Sequence, residues 1–305
     1  MARTIPVYDL DHYRRTGPGP EGVFVATLAE SIAQRYGRRH PHIHPFYQAF
    51  FVSGEGRFMH DFRDYALRGP TLVFASPGQI HAITLNPRLR GIFVSFTQDF
   101  FDHAAPPPSR LPDFPFFYSP GLPPLLPLKG GTAELFRPLF ADMKDEFTAA
   151  QPGAADVIRA QLQVAFTRAA RLYARAHRLG TGLAPADALP RPARLAREFR
   201  LAVEHRFRNL TTLPAYAALL QVTANHLNDT LRREARQSAG EVIRQRRLLE
   251  AKRLLLHSDL GVAEIGYHLG FDDPSYFGRF FLRGVGASPV AFRDRIREKY
   301  QRSPA

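Results

Sequence analysis

The chain has 305 residues, a formal net charge of +13 and no cysteine. Its hydrophobic content of 45% excludes a wholly disordered chain, and the lack of cysteine excludes disulfide scaffolds, thiolate zinc sites, iron–sulfur clusters and thiol nucleophiles. No stretch approaches the roughly 18 apolar residues of a membrane span, and the first 15 residues carry charges instead of an apolar signal core. We therefore expect a cytoplasmic protein of about two domains with no membrane partner.

Short strands separated by turn signals are predicted from about residue 20 to residue 100. An aromatic run over 46–52 ends at the turn Gly-Glu-Gly of 54–56. Further runs with strand character occupy 57–62, 71–75, 81–85 and 91–96. Turn signals recur about every 8–12 residues, which favours an antiparallel sandwich or small barrel. The proline-rich segment 104–128 is predicted to be irregular and to pack over the barrel.

The periodicity becomes helical at residue 132. One helix is predicted over 132–149, with a kink at Pro138, and a second over 156–177, whose apolar residues fall on one stripe. The stripe is either intradomain core or a dimer seam, and we favour the seam because a second helix on a small barrel has limited core to cover. Segment 180–193 is rich in Gly, Pro and small residues and is predicted to be a linker.

After the linker, only helices are predicted, beginning with one over 194–207. Two helix pairs with brief turns follow, 213–220 with 223–235 and 262–269 with 274–283, an arrangement typical of helix-turn-helix units. A capping box at Ser238 and Glu241 opens the helix that connects them. This helix is about 28 Å long, near the ~34 Å between successive major grooves on one DNA face. One monomer could therefore place two recognition helices in adjacent major grooves of double-stranded DNA.

Basic residues concentrate in this last third, where 191–305 carries 21 Lys or Arg against 12 acidic residues. The connecting helix contains Arg-Leu at 247–248 and Ala-Lys-Arg-Leu-Leu at 251–255. After it come Ile-Gly, Leu-Gly-Phe, Tyr-Phe, Arg-Phe-Phe, Gly-Ala-Ser-Pro and Phe-Arg, starting at residues 265, 269, 276, 279, 286 and 292. Because these motifs occur in this order, residues 195–300 resemble the DNA-binding domain of AraC/XylS-type transcription regulators. Residues 40–100 are similar to the cupin-type sensor half of that family.

The resemblance implies an α+β protein of two domains. Residues 1–179 would form a cupin-like antiparallel β-barrel with following helices, for effector binding and dimerisation. Residues 180–193 would form the linker and 194–305 an all-α tandem helix-turn-helix domain. In such a protein the helices that begin near 223 and 274 face the bases. By position, the outward residues would be Ala224, Asn225, Asn228, Asp229, Ser275, Tyr276 and Arg279.

These residue types suit base recognition, because Asn pairs with adenine, Arg with guanine, and Tyr can contact a thymine methyl. Asp229 departs from the family's basic or amide residue, and either weakens the first reader by repelling phosphate or pairs with Arg232 or Arg233. Phe280 and Phe281 are expected in the core. The phosphate candidates, each with a solvated surface position as the alternative, are Arg232, Arg233, Arg244, Arg246, Arg293 and Arg297.

The effector pocket is expected on one face of the barrel, although core packing also explains its aromatic residues. An aromatic lining would suit a small aromatic or apolar effector, with Arg57 or His81 holding a carboxylate. The pocket candidates are His44, Tyr47, Phe51, Arg57, Phe58 and His81. His42, His44 and His81 are also weak metal candidates, because imidazole suits transition metals and cupin metal sites have a similar His-x-His pair. The carboxylate expected soon after that pair is missing, so we expect no metal and no other cofactor.

We therefore expect a transcription regulator that is not an enzyme and is controlled by a small-molecule effector. Its partners would be DNA, the effector and a second copy bound through helix 156–177, with RNA polymerase added if it activates transcription. One alternative is a metal-dependent cupin enzyme fused to a targeting domain. Another is a constitutive DNA-binding protein whose barrel only dimerises.

Overall fold

The structure is a computed structural model that describes residues 6–10, 19–33, 41–84, 88–103, 111, 114–118, 122–177, 189–235 and 237–301. The chain divides into two compact units, one of Pro6–Phe117 with Gly121–Leu183 and one built mainly of Ala184–Ala305. Most of the predicted linker, 180–188, lies outside the described residues, as does 104–110 of the proline-rich segment. None of the helices formed by the described residues is long and apolar enough to cross a membrane.

The first unit contains two antiparallel sheets, in agreement with the predicted fold class. Its strands are β1 Val23–Thr27, β2 Tyr47–Ser53, β3 Glu55–His60, β4 Arg63–Arg68, β5 Thr71–Ala75, β6 His81–Thr84, β7 Arg90–Phe96 and β8 Leu125–Pro127. One sheet has the order β1-β7-β2-β5-β8, and the other has the order β4-β3-β6. The long β2 lies near the centre of the larger sheet, between β7 and β5, which explains its continuous apolar run.

The proline-rich segment is more regular than predicted. Its described part forms a short helix over Pro115–Tyr118 and strand β8, and β8 pairs with β5 as an edge strand. Pro127 fits there because proline, which lacks an N–H, is tolerated at a sheet edge. The helices of the first unit are α1 Leu28–Ala33, α2 Gln98–Asp102, α3 Pro115–Tyr118, α4 Arg137–Ala149 and α5 Ala154–Ala176.

The prediction of one kinked helix over 132–149 is wrong. A 3₁₀ turn over Thr132–Leu135 precedes α4, and Pro138 lies in the first turn of that helix. A proline in the first turn disrupts no helical hydrogen bond, because the N–H groups there have no partner within the helix. Pro138 therefore starts a helix and does not bend one.

The apolar stripe of α5 is core, so its interpretation as a dimer seam is wrong. Phe166 is buried, and its ring centroid lies 5.7 Å from Phe96 and 6.2 Å from Phe74 on the larger sheet. The other buried positions of the stripe are Ile158, Leu162, Ala165 and Ala169; Tyr173 beside the stripe is also buried, and Leu172 is half-buried. The five-stranded sheet presents more aromatic surface than a small barrel would suggest, and α5 covers it.

The described residues of the second unit form helices and their connecting turns, and their tandem helix-turn-helix organisation agrees with the prediction. Its helices are α6 Arg191–Arg206, α7 Leu213–Leu219, α8 Ala224–Ala235, α9 Ala239–His257, α10 Val262–His268, α11 Pro274–Val285 and α12 Pro289–Gln301. Helix α6 starts inside the predicted linker, with Pro192 in its first turn.

The core of the second unit consists of the predicted apolar positions, with one exception. Leu227, Leu231, Ile265, Leu269, Phe271, Phe277, Phe281 and Phe292 are buried. Phe280 is only half-buried, with its ring 5.0 Å from that of Phe271. Successive helical residues point about 100° apart, so Phe280 and Phe281 cannot both face the same core.

Candidate DNA interface and barrel ligand site

The first helix pair is α7 and α8, joined by a short turn. Thr212 caps α7 by accepting a hydrogen bond from the Ala215 N–H at 3.4 Å, and the Thr223 hydroxyl accepts one from the His226 N–H at 3.2 Å. Gln221 makes the turn in the left-handed region, at φ 55°. Because Leu227 and Leu231 are fully buried beneath α8, the opposite face of that helix is open to solvent.

The predicted base-reading residues of α8 differ in their exposure to solvent. Asn225 and Asp229 are exposed one helical turn apart, while Ala224 is half-buried. His226 is exposed beside them and was missed, although its spacing of three residues from Asp229 gives it the same face. The polar face of α8 thus consists of Asn225, His226, Asp229, Arg232 and Arg233.

Asn228 has a structural contact that the sequence did not reveal. Its side chain is half-buried, and Oδ1 accepts a hydrogen bond from the backbone N–H of Ala239 at 3.1 Å. Ala239 is the first residue of α9, where the N–H groups lack helical partners. Asn228 therefore joins α8 to α9, a placement that does not fit the base-reading role expected of it.

The second pair is α10 and α11. Gly270 makes its turn at φ 75°, and a Cβ there would lie 2.7 Å from the carbonyl oxygen of Arg208, so only glycine fits. Asp273 caps α11 by accepting a hydrogen bond from the Ser275 N–H at 2.7 Å. Fully buried Phe277 packs on Gly266, which would place a Cβ only 3.2 Å from it.

All three predicted readers of α11 lie on its open face. Ser275 and Arg279 are exposed, and Tyr276 keeps 52% of its surface accessible. The Arg279 guanidinium lies 5.9 Å from the centre of the Tyr276 ring, within the range of a cation–π contact. The structure thus brings an aromatic ring and a guanidinium together at the start of α11.

The connecting helix α9 has 19 residues and is about 28 Å long. Its capping box is present: the Glu241 N–H donates to Ser238 Oγ at 3.2 Å, and the Ser238 N–H donates to Glu241 Oε2 at 2.9 Å. Arg247, from the Arg-Leu pair, is buried, donates to the Leu269 carbonyl at 2.8 Å and lies 4.0 Å from the Phe271 ring. Arg247 therefore fixes the second helix pair to α9.

Arg246 is a buried structural residue and not the phosphate contact that its position suggested. Arg246 is only 7% exposed. Its Nε lies 2.9 Å from Glu204 Oε1, and its Nη1 lies 3.0 Å from Glu250 Oε2. Its guanidinium lies over the Phe207 ring, 3.8 Å from the ring centre. Burial alone would raise the pKa of Glu250, but Arg246 and Arg253 outweigh it and lower that pKa to about 2. This ion-pair cluster joins α9 to α6.

The other phosphate candidates fall into two groups. Arg293 and Arg297 donate to the carbonyls of Leu260 and Ser258, at the end of α9, and Arg297 is only 14% exposed in its side chain. These contacts hold α12 against the end of α9 and do not fit the predicted phosphate role. Arg232, Arg233 and Arg244 are exposed, and Arg232 and Arg244 line a shallow open depression at the start of α9.

In the first unit, strand alternation divides the predicted pocket residues between two faces. His44, Phe58 and His81 come together, with ring centroids 5.1 Å apart for His44–His81 and 6.2 Å apart for Phe58–His81. Tyr47 and Phe51 lie on the other side of the larger sheet, where Tyr47 packs on Phe117 and Phe51 on Phe140. Arg57 is exposed. Tyr47, Phe51 and Arg57 therefore do not fit the predicted role of lining the pocket, because they lie outside the group around His81.

The group around His81 is polar and buried. Gln48, on the same face of β2 as Phe50, has its side-chain amide 2.8 Å from His81 Nε2 and 3.0 Å from Ser95 Oγ. Burial, and then the neighbouring His42 and His44, lower the pKa of His81 well below its ordinary value of 6.5. A neutral imidazole can accept a ligand's hydrogen bond or bind a metal ion. Sequence reasoning missed Gln48 because the inward face of β2 could not be identified.

Two family models match most of the chain. Residues 24–163 match the AraC-like ligand binding domain, and residues 216–295 match a helix-turn-helix domain. The chain is 35% identical over 78 residues to the HTH-type transcriptional activator RhaR of Enterobacter sp. (strain 638), and 28% identical over 99 residues to YdiP, an uncharacterized HTH-type transcriptional regulator of Escherichia coli (strain K12). These matches cover 26% and 32% of this chain but span only 28% and 33% of the relatives' own lengths. A structure of ToxT from Vibrio cholerae is similar with a TM-score of 0.43 and 12% identity, covering 90% of this chain and 98% of that one.

Proposed function

Because the chain belongs to the AraC family of transcription regulators, we propose that it binds double-stranded DNA sequence-specifically and that a small molecule bound in the barrel controls this binding. The observation that carries the proposal is the pair of exposed polar helix faces, on α8 and α11, held by one continuous helix between them. The connecting helix is about 28 Å long, near the ~34 Å between successive major grooves on one side of the duplex.

The two faces would read DNA with unequal strength. Arg279 suits guanine, and the neighbouring Tyr276 ring suits a thymine methyl. On α8, Asn225 suits adenine, but the exposed carboxylate of Asp229 suits only cytosine N4 and repels phosphate. We therefore expect the box read by α11 to be stricter than the box read by α8, and His226 to contribute beside Asn225.

Phosphate contacts would come from the arginines that remain exposed. Arg232, Arg233 and Arg244 lie near the junction of α8 and α9, where they could flank the groove that α8 enters. Each phosphate neutralised releases counterions, so binding should weaken with salt in proportion to the number of contacts.

The effector site would be the inner group of Gln48, Phe58 and His81, with His44 beside it. Neutral imidazole and amide groups next to aromatic rings suit a small aromatic or apolar molecule with one polar group. Effector binding can act on DNA affinity only if it differs between two states of the protein.

Dimerisation through α5 stays a prediction, but it must use another face than the buried stripe. Val157 and Val164 are 41% and 40% exposed and lie seven residues apart, the spacing of a helix–helix seam. Val164→Glu should then give a monomer in light scattering, while Leu135→Glu, at an apolar residue of similar exposure outside α5, should leave the dimer intact. RNA polymerase is a further expected partner if the protein activates transcription.

Selection of bound duplexes from a random pool by the full chain tests the function. We expect a bipartite motif with two short boxes about one helical turn apart. Arg279→Ala should relax one position of the stricter box, while Arg63→Ala, at an exposed arginine on β4, should leave the motif unchanged. No enrichment at moderate salt would refute the regulator assignment and favour the metal-dependent enzyme. A motif bound equally with and without every candidate small molecule would favour a constitutive DNA-binding protein.

A further inference from the structure

Three buried histidines converge in the first unit. His42, His44 and His81 are 6%, 1% and 3% exposed, and one ring nitrogen from each lies within 4.8 Å of the other two. The backbones of His42 and His81 exchange two hydrogen bonds of 3.0 Å, so these two residues form a directly opposed antiparallel pair. In such a pair both side chains point to the same side, and their ring centroids lie 4.7 Å apart.

Backbone carbonyls fix the orientation of two of the rings. Nδ1–H of His44 donates to the Tyr8 carbonyl at 3.1 Å, and Nδ1–H of His81 donates to the Gln79 carbonyl at 3.1 Å. A carbonyl can only accept, so each of these contacts is a hydrogen bond when Nδ1 carries the proton, and a neutral ring in that tautomer has its lone pair on Nε2. Metal-binding histidines show this arrangement, in which a second hydrogen bond sets the tautomer and orients the ring.

Gln48 contacts the other ring nitrogen of His81. Its Oε1 lies 2.8 Å from His81 Nε2, and its NH₂ group donates to Ser95 Oγ at 3.0 Å. A neutral imidazole has one N–H, so it can donate to only one of the two carbonyl oxygens that face it. A metal ion on Nε2 would resolve this conflict, because Nδ1–H would keep its bond to the Gln79 carbonyl while the Gln48 oxygen turned away or served as a further ligand.

We propose that His42, His44 and His81 bind one divalent transition-metal ion through their ring nitrogens. Neutral imidazoles select zinc, iron, cobalt, nickel or copper over magnesium and calcium, which prefer oxygen. Metal–nitrogen bonds of about 2.0–2.1 Å in a tetrahedral site place the nitrogens about 3.4 Å apart, so the rings must close by little more than 1 Å. Three protein ligands leave one position open for water, Gln48 or a small ligand.

This site does not depend on DNA binding, and it reverses the expectation that the barrel holds no metal. That expectation rested on the missing carboxylate of the cupin pattern, but three imidazoles form a complete tridentate set without one. The proposal would hold even if the chain bound no DNA, so the two proposals can fail separately.

Cobalt titration of the full, untagged chain after chelator treatment tests the site. We expect one equivalent of Co²⁺ to give the visible absorption of a four-coordinate ion, and Zn²⁺ to displace it. X-ray absorption of the zinc form should show imidazole nitrogens at about 2.0–2.1 Å. If the unaltered protein binds less than one equivalent of Co²⁺, or gives the spectrum of a six-coordinate ion, the proposal is wrong.

Two variants and a matched control locate the ion. His42→Asn and His81→Asn should each lower the affinity for the metal ion. The loss should be at least ~10–100-fold, which is the loss caused by changing an outer-shell partner of a metal ligand. His60→Asn should keep one equivalent, because His60 is also buried in the same sheet, in register with His81, but its ring contacts Gln79 and lies outside the cluster. If the cluster variants keep their circular dichroism and still bind as tightly, the ion lies elsewhere and the proposal is wrong.

Discussion

Replacing Glu250 by glutamine should loosen the frame that holds the two recognition helices. Glu250 is 7% exposed and accepts from Arg246 Nη1 at 3.0 Å and Arg208 Nη2 at 2.9 Å. Folding lowers its pKa from 4.5 to about 2, which corresponds to about 3 kcal/mol of stability. Removing one partner of a buried ion pair costs about 3–5 kcal/mol, which agrees in magnitude.

The pH dependence of this contribution has a defined sign. Because the folded pKa lies below the unfolded one, the stabilisation is complete above pH 4.5 and is lost as the pH falls toward 2. Glu250→Gln should therefore destabilise the second unit by about 3 kcal/mol at pH 7 and by much less near pH 2.

Hydrogen exchange of α9 amides in the full chain measures this effect, because it reports the local opening free energy. The matched control is Glu198→Gln, which alters a half-exposed pair with Arg194 at the same i,i+4 spacing and should change stability by less than about 1 kcal/mol. Equal effects of the two substitutions at pH 7, or an effect of Glu250→Gln that persists undiminished near pH 2, would show that the charge of Glu250 does not stabilise α9.

Three further predictions concern DNA binding, measured by fluorescence anisotropy on a selected duplex. Arg279→Ala should cost about 1–3 kcal/mol and relax one base position, whereas equal weakening on every sequence would make Arg279 a phosphate contact. Asp229→Asn should tighten binding and add a preference at the weaker box; weaker binding would show that the carboxylate makes a favourable contact. Arg232→Ala should reduce the salt slope by about 1, while exposed Arg63→Ala should not change it.

The second unit could be predicted closely because its helix ends are encoded locally. Thr212, Ser238 and Asp273 each cap a helix within three residues of themselves, and the φ of 75° at Gly270 is a backbone conformation that favours glycine. Such signals depend only on neighbours in sequence, so they can be read without knowing the fold.

Roles that depend on distant partners could not be predicted. Arg246 resembles a surface arginine until Glu204, 42 residues away, is placed beside it. Asn228 resembles a base reader until the Ala239 N–H is found against it. In the same way, the aromatic run of β2 does not reveal that Gln48 faces His81 while Tyr47 faces Phe117. Strand alternation gives two faces but does not say which is inside.

In the proposed function, α8 and α11 read two boxes at a spacing fixed by α9. The most direct test measures the affinity of the full chain for a selected duplex and for the same duplex with five base pairs inserted between the boxes. Five base pairs rotate one box by about half a turn, so we predict that affinity falls to that of a duplex with a single box. Unchanged affinity for the inserted duplex would show that the two helices do not read DNA as one rigid pair.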